Sequence, residues 1–297
     1  MTGAELGQQL INALSLGSIY ALVAIGLAMV FSILRLINFA HGEALMIGAV
    51  ASVLLAERGL PWPVWAPFAV GITVLSGVLI ERIAYRPLRR RNAPRLAFLI
   101  AAVGLSFVLQ ELFALRYGRN QLGFPRVLEK EELFSIGGAN VRTDKVLVVV
   151  ASLVLMIALE RFVNRSRLGR GIRATAQDPS TAALMGVDIN RVVALTFLLG
   201  GILAGAAGTL LGIFFEAARY NIGFLPGIKA CTAAVLGGIG NIRGALLGGV
   251  LLGLRENWGA TVLGGEWKDV FAFSVLVLVL LFRPTGLLGE SLARARA

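Results

Sequence analysis

Residues 21–31 read Ala-Leu-Val-Ala-Ile-Gly-Leu-Ala-Met-Val-Phe, a run without a charged side chain, and residues 270–282 form a second such run. A strand of a membrane barrel would alternate apolar and polar residues over about 10 positions, which neither run does. The chain of 297 residues is 57% hydrophobic and 15% charged, whereas soluble domains average about 25% charged residues. We therefore predict an all-α, polytopic membrane protein.

The charge balance is strongly basic, with 28 Lys and Arg against 17 Asp and Glu. In a soluble protein this excess would suggest a nucleic-acid partner, but here most basic residues stand in loops between apolar segments. Basic loops set the orientation of membrane helices. We expect membrane lipid, and no nucleic acid, around this chain. Cys231 is the only cysteine, which excludes an intrachain disulfide and indicates no metal cluster.

Nine apolar segments are candidate membrane spans, since a helix needs about 20 residues to cross the hydrocarbon core. They are Leu10–Leu34, Asn38–Ala56, Trp62–Ile80, Leu96–Leu115, Val146–Leu159, Val192–Phe215, Leu225–Ile239, Gly244–Leu254 and Val270–Phe282. The first should be retained as a helix, because no basic residue precedes it as in a cleaved signal peptide. We predict eight to nine transmembrane helices in a single domain over residues 1–297.

Two loops rich in arginine, residues 81–95 and 160–191, should be cytoplasmic. The segment 116–145 holds six basic residues as well, but four carboxylates accompany them, and the order of the spans places it on the other side. It is the predicted outer segment. The same order puts the N-terminus outside and the tail 283–297 inside, provided that Leu225–Ile239 crosses the membrane and is not a re-entrant loop.

Polar residues interrupt the apolar pattern between the first two candidate spans, in Asn38-Phe39-Ala40-His41-Gly42-Glu43. Ionisable groups near hydrocarbon usually face a cavity or a partner. This predicts that Asn38, Phe39, His41, Gly42 and Glu43 line a translocation pathway. The alternative is an interfacial cap, in which Asn38 satisfies free backbone N–H groups and Glu43 favours the positive end of the helix dipole.

Four glycines fall within the eight positions 237–244. A continuous helix is not expected there, and broken helices in membranes line cavities or transport sites. The predicted pathway residues in this stretch are Gly237, Gly238, Gly240 and Asn241. The alternative is close helix packing, because glycines recur at every fourth residue from Gly240 to Gly248.

Residues 10–56 and 192–254 share one pattern, a long apolar helix followed by a polar break and a second helix. An odd number of helices between them would invert one copy. Inverted repeats with the pathway at their interface are common among transporters, and we predict such a repeat here.

The arginine-rich segment 160–191 contains Asp178-Pro179. Proline at a first helical position predicts a new helix. Leu184 and Met185 follow, and apolar residues outside the membrane indicate that a partner docks on them. The alternative is an interfacial helix that rests on lipid headgroups.

None of the four lysines follows a glycine, so the chain has no Gly-Lys-Ser/Thr phosphate loop. We expect no cofactor on this chain. If ATP powers transport, ATP and Mg²⁺ are used by another polypeptide.

Taken in order, several stretches resemble the LivH-type permeases of branched-chain amino acid ABC transporters, and the resemblance covers nearly the whole chain. They are Leu16–Leu22, Asn38–Glu43 with Met46–Ala49, Arg173–Asp178, Ala234–Ala245 and Arg283–Gly289. The resemblance implies a type II-like import permease of the bacterial inner membrane. It also implies a LivM-type second permease, two cytoplasmic ATPase subunits and a periplasmic substrate-binding protein.

By this resemblance, residues 173–186 form the coupling segment that docks in an ATPase. The residues concerned are Arg173, Ala174, Gln177, Asp178, Ala182, Leu184, Met185 and Gly186. Members of the family handle leucine, isoleucine and valine, other amino acids, or urea and short amides. The substrate therefore stays open between hydrophobic amino acids and small amides.

Two other classes of protein remain as alternatives. An ion-coupled secondary transporter needs buried carboxylates at mid-membrane, and Glu43 is the only candidate near a span start. A membrane-embedded enzyme needs more than His41 and Glu43, because no nucleophile motif or second metal ligand accompanies them.

Overall fold

The structure is a computed structural model that describes residues 3–36, 38–124, 126–127, 129–136, 138–238, 240–283 and 285–289. The helices are α1 (Gly3–Leu34), α2 (His41–Ala56), α3 (Trp62–Ile80), α4 (Arg86–Arg90), α5 (Arg95–Tyr117), α6 (Thr143–Arg165), α7 (Arg167–Gln177), α8 (Pro179–Leu184), α9 (Ile189–Phe215), α10 (Phe224–Gly237), α11 (Ile242–Leu263) and α12 (Lys268–Phe282). Residues 81–85 form a π-helical turn, and residues 265–267 a 3₁₀ turn. Ile239 and the tail beyond Gly289 lie outside the described residues.

Four short strands accompany the helices: β1 (Leu122–Gly123), β2 (Glu132–Ile136), β3 (Ala139–Arg142) and β4 (Ala217–Ala218). β2 and β3 form an antiparallel hairpin, and β1 pairs with β4. The predicted all-α class is confirmed, and the strands add only small pairings that the sequence did not indicate, one within the segment 116–145 and one between it and the residues after α9.

The helices divide into inner and outer ones. In α1, 89% of the most apolar window is buried inside the protein, whereas in α5 the share is 17%. A helix that is apolar all round and buried lies in the core of a bundle, and α1 packs against α9, α10 and α11. The exposed apolar side chains of α3, α5 and α6, such as Phe68, Leu112 and Val154, form the surface expected to face lipid.

Small residues bring α1 and α11 into backbone contact. A Cβ added at Gly249 would lie 2.5 Å from the Cα and N atoms of Ala21, and one at Gly17 would lie 3.0 Å from the Cα of Val250. Association of helices in lipid depends on such close van der Waals contact. Of the glycines for which the sequence analysis left close packing open, Gly244 and Gly248 pack in the same way against the backbone of α10, at Gly237 and Ala233.

One end of the bundle, which we call the arginine end, joins the segment 160–191 to the spans. Its hydrogen bonds run from Arg35 to the carbonyl oxygen of Ala176 (2.9 Å), from Arg89 to Asn190 (2.9 Å) and from Arg243 to Glu160 (2.7 Å). The two arginine-rich loops therefore lie at the same end, in agreement with the predicted topology.

The opposite end, which we call the outer end, holds the segment 116–145 and the start of α1. Lys145 donates to Asn12 at 2.6 Å, the backbone N–H of Asn140 donates to Gln8 at 2.8 Å, and Lys130 pairs with Glu216. The start of α1 therefore lies at the same end as the segment 116–145, and the end of α1 lies with the arginine-rich loops, as the predicted order of the spans requires. Which end faces the cytoplasm stays a prediction from the arginine content.

The predicted count of eight to nine spans exceeds what helix length and apolarity alone support. Five described helices, α1, α3 with its continuation through α4, α5, α6 and α9, are long and apolar enough to cross by themselves, and α10 with α11 meets the test only jointly. α2 and α12 have 16 and 15 residues, and α10 has 14, or about 21 Å at 1.5 Å per residue. These helices are shorter than the hydrocarbon core, so the higher count and the inverted repeat stay predictions.

Candidate translocation pathway and docking segment

The loop between α1 and α2 turns back into the bundle. Arg35 has a left-handed backbone (φ 54°) directly after α1, and the chain then returns so that His41 begins α2 against the middle of α1. A Cβ added at Gly26 would lie 2.7 Å from His41 Nε2, and one at Gly200 would lie 3.2 Å from its Cε1. His41 is 5% exposed and approaches the Val23 backbone, and its Nε2 atom makes no hydrogen bond of ordinary geometry with any residue that the structure describes.

Asn38 does not cap α2. The residue before the helix is Ala40, and no side chain bonds the free N–H groups there. Asn38 instead accepts a hydrogen bond of 2.6 Å from the hydroxyl of Tyr85, and both side chains are buried. The capping interpretation is wrong for Asn38, because its side chain is committed to the π-helical turn after α3. Glu43 does lie in the first turn of α2.

Glu43 is fully buried and bound to α5. Its Oε1 accepts hydrogen bonds from Ser106 (2.7 Å) and Gln110 (2.8 Å), while Oε2 is buried and has no hydrogen-bond partner among the described residues. Ser106 is the central residue of α5, which places the carboxyl group near the middle of the bundle. Within the part of the chain that the structure describes, no cation pairs with Glu43.

Gly42 allows α2 and α10 to touch. A Cβ at Gly42 would lie 2.5 Å from the carbonyl oxygen of Gly223 and 3.1 Å from the Cα of Gly227. Phe39 is half-buried and packs on the central core. The residues that the sequence singled out between Asn38 and Glu43 therefore lie together, at the junction of α1, α2, α5 and the beginning of α10.

The glycine-rich stretch lies at the other end of α10. α10 ends at Gly237. Gly238 and Gly240, which follow it, adopt positive φ angles of 115° and 90°, and the axis of α11 is bent by 119° from that of α10. Asn241 caps α11 by accepting from the N–H groups of Arg243 (3.0 Å) and Gly244 (3.2 Å). The predicted helix break is confirmed, but it belongs to the arginine end and does not join the Asn38–Glu43 group.

Residues of the tail form hydrogen bonds with the end of α10 and the start of α11. The N–H groups of Leu287 and Leu288 donate to the carbonyl oxygens of Leu236 (2.8 Å) and Gly237 (2.9 Å), and the Asn241 side chain donates to Leu288 at 2.9 Å. The last carbonyl groups of α10, which have no partner within the helix, are satisfied in this way.

The segment 160–191 forms two capped helices. Ser166 accepts from the N–H of Gly169 at 2.8 Å at the start of α7, and Asp178 accepts from Ser180 and Thr181 at the start of α8. The predicted helix start at Pro179 is confirmed. Hydrogen bonds from Ser180 and Thr181 lower the pKa of Asp178 to about 2, so the cap is ionised at neutral pH.

The predicted docking residues fall into two groups. Leu184 and Met185 are 88% and 80% exposed, and Gln177, Asp178 and Gly186 are also exposed. Ala182 is buried, Ala174 is half-buried, and Arg173 donates back to the carbonyl oxygen of Val163 at the end of α6. The exposed group forms a surface, whereas the second group attaches this surface to the bundle.

Buried ionic groups elsewhere were missed by the sequence analysis. Glu81 and Glu256 are each 2% exposed, and the sequence analysis, which considered a carboxylate near a span start, did not single them out. Glu81 pairs with Arg89 at 3.0 Å, and Glu256 pairs with Lys229 at 2.8 Å. The available signal was a lysine inside an apolar segment, since such a charge requires a partner.

Comparison with known proteins identifies a family. A profile described as branched-chain amino acid transport system / permease component matches residues 9–280. The chain is 48% identical over 295 residues to the high-affinity branched-chain amino acid transport system permease protein BraD of Pseudomonas aeruginosa, with 95% of each chain covered. It is 43% identical over 298 residues to LivH, the protein of the same description in Escherichia coli K12, again with 95% of each covered.

Among solved structures, the chain resembles PsaBC from Streptococcus pneumoniae in complex with Fab, with a TM-score of 0.51 and 15% identity. The match covers 94% of this chain and 92% of that one, and at this identity it concerns the fold alone. The matched profile and the two sequence relatives extend over the helical bundle and both candidate sites. The chain therefore belongs to the family of permease components of branched-chain amino acid transport systems, and it is a transport component and not an enzyme.

Proposed function

We propose that the chain is the permease subunit of an ATP-driven importer that carries branched-chain amino acids inward. Its relatives of 48% and 43% identity bear the description of high-affinity branched-chain amino acid permeases. The chain itself has no phosphate loop in its sequence. ATP and Mg²⁺ are then used by two partner ATPase subunits, and this chain supplies the path through the membrane.

The assembly would contain a LivM-type second permease and a periplasmic substrate-binding protein as well. The chain is proposed to span the bacterial inner membrane, with the arginine end in the cytoplasm and the outer end in the periplasm, since arginine-rich loops stay inside. The N-terminus is then outside, and the segment 116–145 faces the binding protein.

One observation supports the proposal that ATP drives transport. Leu184 and Met185 are exposed apolar residues at the end of the capped helix α8, at the arginine end of the bundle. Large exposed apolar groups on an ordered element indicate a docking partner. α7 and α8 contact α6 and α9, so a partner that moves this surface would move the spans with it. An ATPase groove is the partner that an ABC permease requires.

The pathway is proposed to follow Asn38–Glu43 and α10. Arg35 joins the docking segment to the loop that carries Asn38 and His41, and Gly42 joins that loop to α10. The glycine break at Gly238 and Gly240 lies at the far end of α10. A shift of the docking segment could therefore alter both the middle and the inner end of the pathway.

Co-purification tests the docking step. The chain would be co-expressed with its partner subunits, and ATPase recovery compared between wild type, Met185→Glu and Leu133→Glu. Leu133 is a matched control, because it is 52% exposed but lies on β2 at the outer end. We expect loss of the ATPase with Met185→Glu only.

Uptake of labelled leucine and labelled urea by the same complex in proteoliposomes tests the substrate and the energy source. ATP-dependent leucine uptake supports the proposal. Preference for urea or short amides would change the substrate, and uptake that follows an ion gradient without ATP would favour a secondary transporter.

A further inference from the structure

A polar cavity of about 330 Å³ opens at the outer end, outside both sites described above. Its walls come from α1, the segment 116–145 with the start of α6, the end of α9, and α11 with α12. The lining residues are Asn12, Leu16, Lys130, Arg142, Asp144, Lys145, Phe214, Phe215, Asn257 and Lys268. We call this space the outer cavity. Its volume is at the lower end of the range for small-molecule sites, which begins at about 300 Å³.

The charge of the outer cavity is predominantly positive, since four cations and one carboxylate line it. The carboxylate, Asp144, is already held by two hydrogen bonds from Arg142, at 3.1 and 3.0 Å. Lys130 is paired with Glu216. Lys145 differs from these, because its ammonium group bonds the neutral amide oxygen of Asn12 at 2.6 Å.

Lys145 is only 9% exposed, and among the described residues no carboxylate lies within 4.0 Å of its ammonium nitrogen. An ammonium group carries three donors, and Asn12 uses one of them. Arg142 and Lys130 act electrostatically against the charge of Lys145, and Asp144, which is itself held by Arg142, acts in its favour. A buried cation in a cavity of excess positive charge is a site that an anion would stabilise.

Three of the other lining residues are apolar, beside the polar Asn257 and Lys268. Leu16, Phe214 and Phe215 form this apolar part of the wall. Asp144 is the one carboxylate among the lining residues. A ligand that fits both parts combines one carboxylate with a small apolar body. A branched-chain amino acid carries both parts, and Asp144 and Asn257 are lining residues with acceptor oxygens for its α-ammonium group, whereas urea and short amides have no charge for Lys145 to bind.

We propose that the outer cavity is an entry site that binds the α-carboxylate of a free apolar amino acid through Lys145. The proposal rests on the proposed function and deepens it, because it selects amino acids over neutral amides at a site in the permease itself. Lys145 contacts the carboxylate, and Leu16 with the two phenylalanines receives the side chain.

The test measures binding of labelled leucine to the full chain in lipid nanodiscs without any binding protein. Competitors are leucinamide, which lacks the carboxylate, and isovalerate, which keeps the carboxylate and the branched body. We expect isovalerate to compete and leucinamide to bind about tenfold or more weakly, the size that fits loss of a hydrogen bond to a charged group. This comparison needs no variant.

Variants give the second arm. Lys145→Met should weaken leucine binding about tenfold or more, and Lys145→Arg should retain most of it, because the charge remains. Arg219→Met is the matched control, since Arg219 lies at the outer end, bonds Gln121 and does not line the cavity. Equal affinity for leucine and leucinamide, unchanged binding in Lys145→Met, or no saturable leucine binding to the wild type would overturn the proposal.

ATP-driven leucine uptake by the wild-type complex is measured in parallel, so that the two proposals can fail separately. Uptake together with unchanged binding in Lys145→Met overturns the entry site alone. Absence of uptake counts against the proposed function, while carboxylate-dependent binding would still support the site. If Lys145→Met reduces only the capture of the substrate-binding protein, the cations recognise an acidic partner surface and the entry site is wrong.

Discussion

The guanidinium group of Arg35 donates a hydrogen bond of 2.9 Å to the carbonyl oxygen of Ala176, which stands 141 positions later in the chain. Arg35 directly follows α1, and Ala176 lies in the last turn of α7. This contact joins the docking segment to the loop that places His41 and Glu43 in the bundle. It is a direct connection between the two candidate sites.

Arg35→Ala should therefore separate docking from transport. We expect ATPase co-purification to be retained, because Leu184 and Met185 are untouched, and leucine uptake to fall about fivefold or more, the lower bound for typical coupling between sites. Arg91→Ala, at an exposed arginine of the same end, is the control. Normal uptake in Arg35→Ala would show that the contact does not transmit the ATPase cycle.

The Glu43 carboxyl group should contribute to stability through α5. Glu43→Ala leaves Ser106 and Gln110 without their acceptor inside the bundle, at a cost of about 1–3 kcal/mol for the unpaired groups. Glu43→Gln keeps an acceptor of the same shape and should unfold closer to the wild-type temperature. A double-mutant cycle of Glu43→Ala with Ser106→Ala in thermal unfolding measures the coupling, and strict additivity would contradict the contact.

Lys229 should be more important for stability than any exposed ion pair. It lies between Glu256 (2.8 Å) and Asp269 (2.7 Å), and its side chain and that of Glu256 are 7% and 3% exposed. Lys229→Met leaves Glu256 buried without its cation, which costs about 3–5 kcal/mol. Adding Glu256→Gln should restore much of the loss.

Arg119→Met is the comparison for Lys229→Met, because the Arg119–Glu111 pair is 64% and 51% exposed. Such pairs contribute about 0–1 kcal/mol. Thermal unfolding in detergent is measured for the Lys229→Met protein, the Lys229→Met/Glu256→Gln protein and the Arg119→Met protein. A Lys229→Met protein as stable as Arg119→Met would mean that the buried ion pair between Lys229 and Glu256 does not form.

Helix packing predicts opposite outcomes for two glycine-to-alanine substitutions. Gly249→Ala would place a methyl group 2.5 Å from the Ala21 backbone and should destabilise the bundle by about 1–3 kcal/mol through overpacking. Gly104→Ala meets nothing within 4 Å in α5 and should not lower stability, since alanine favours a helix over glycine by about 0.5–1 kcal/mol. Equal melting temperatures would contradict the contact between α1 and α11.

Much of the fold could be predicted because its signals are local. The apolar runs, the proline at 179 and the glycines at 238 and 240 each act within a few residues of the backbone, and the structure has helices, a helix start and a helix break there. The order of the arginine-rich loops likewise agreed with the two ends of the bundle. The predicted number of spans was less secure, because α2, α10 and α12 are short.

The candidate sites were predictable only in part. The sequence indicated that Asn38, His41 and Glu43 were unusual and left a pathway or a cap open for Asn38, but it did not indicate that Tyr85 donates to the Asn38 side chain. The sequence analysis used Lys229 only to exclude a Gly-Lys-Ser/Thr phosphate loop, and it did not consider Glu256 as a partner of this lysine. The outer cavity was not predicted, because its walls come from segments that are distant in sequence.

The sequence by itself determined that this chain is a helical membrane protein with a broken segment near Gly238, a capped helix at Pro179 and no phosphate loop of its own. Only the tertiary structure decided that Glu43 binds Ser106 and Gln110, that Arg35 reaches Ala176, and that Lys145 faces a cavity with no carboxylate of the described residues within 4.0 Å of its ammonium nitrogen. The reason is physical. Apolar length, proline and glycine act through the local backbone, whereas the partner of a buried polar group depends on which helices pack together.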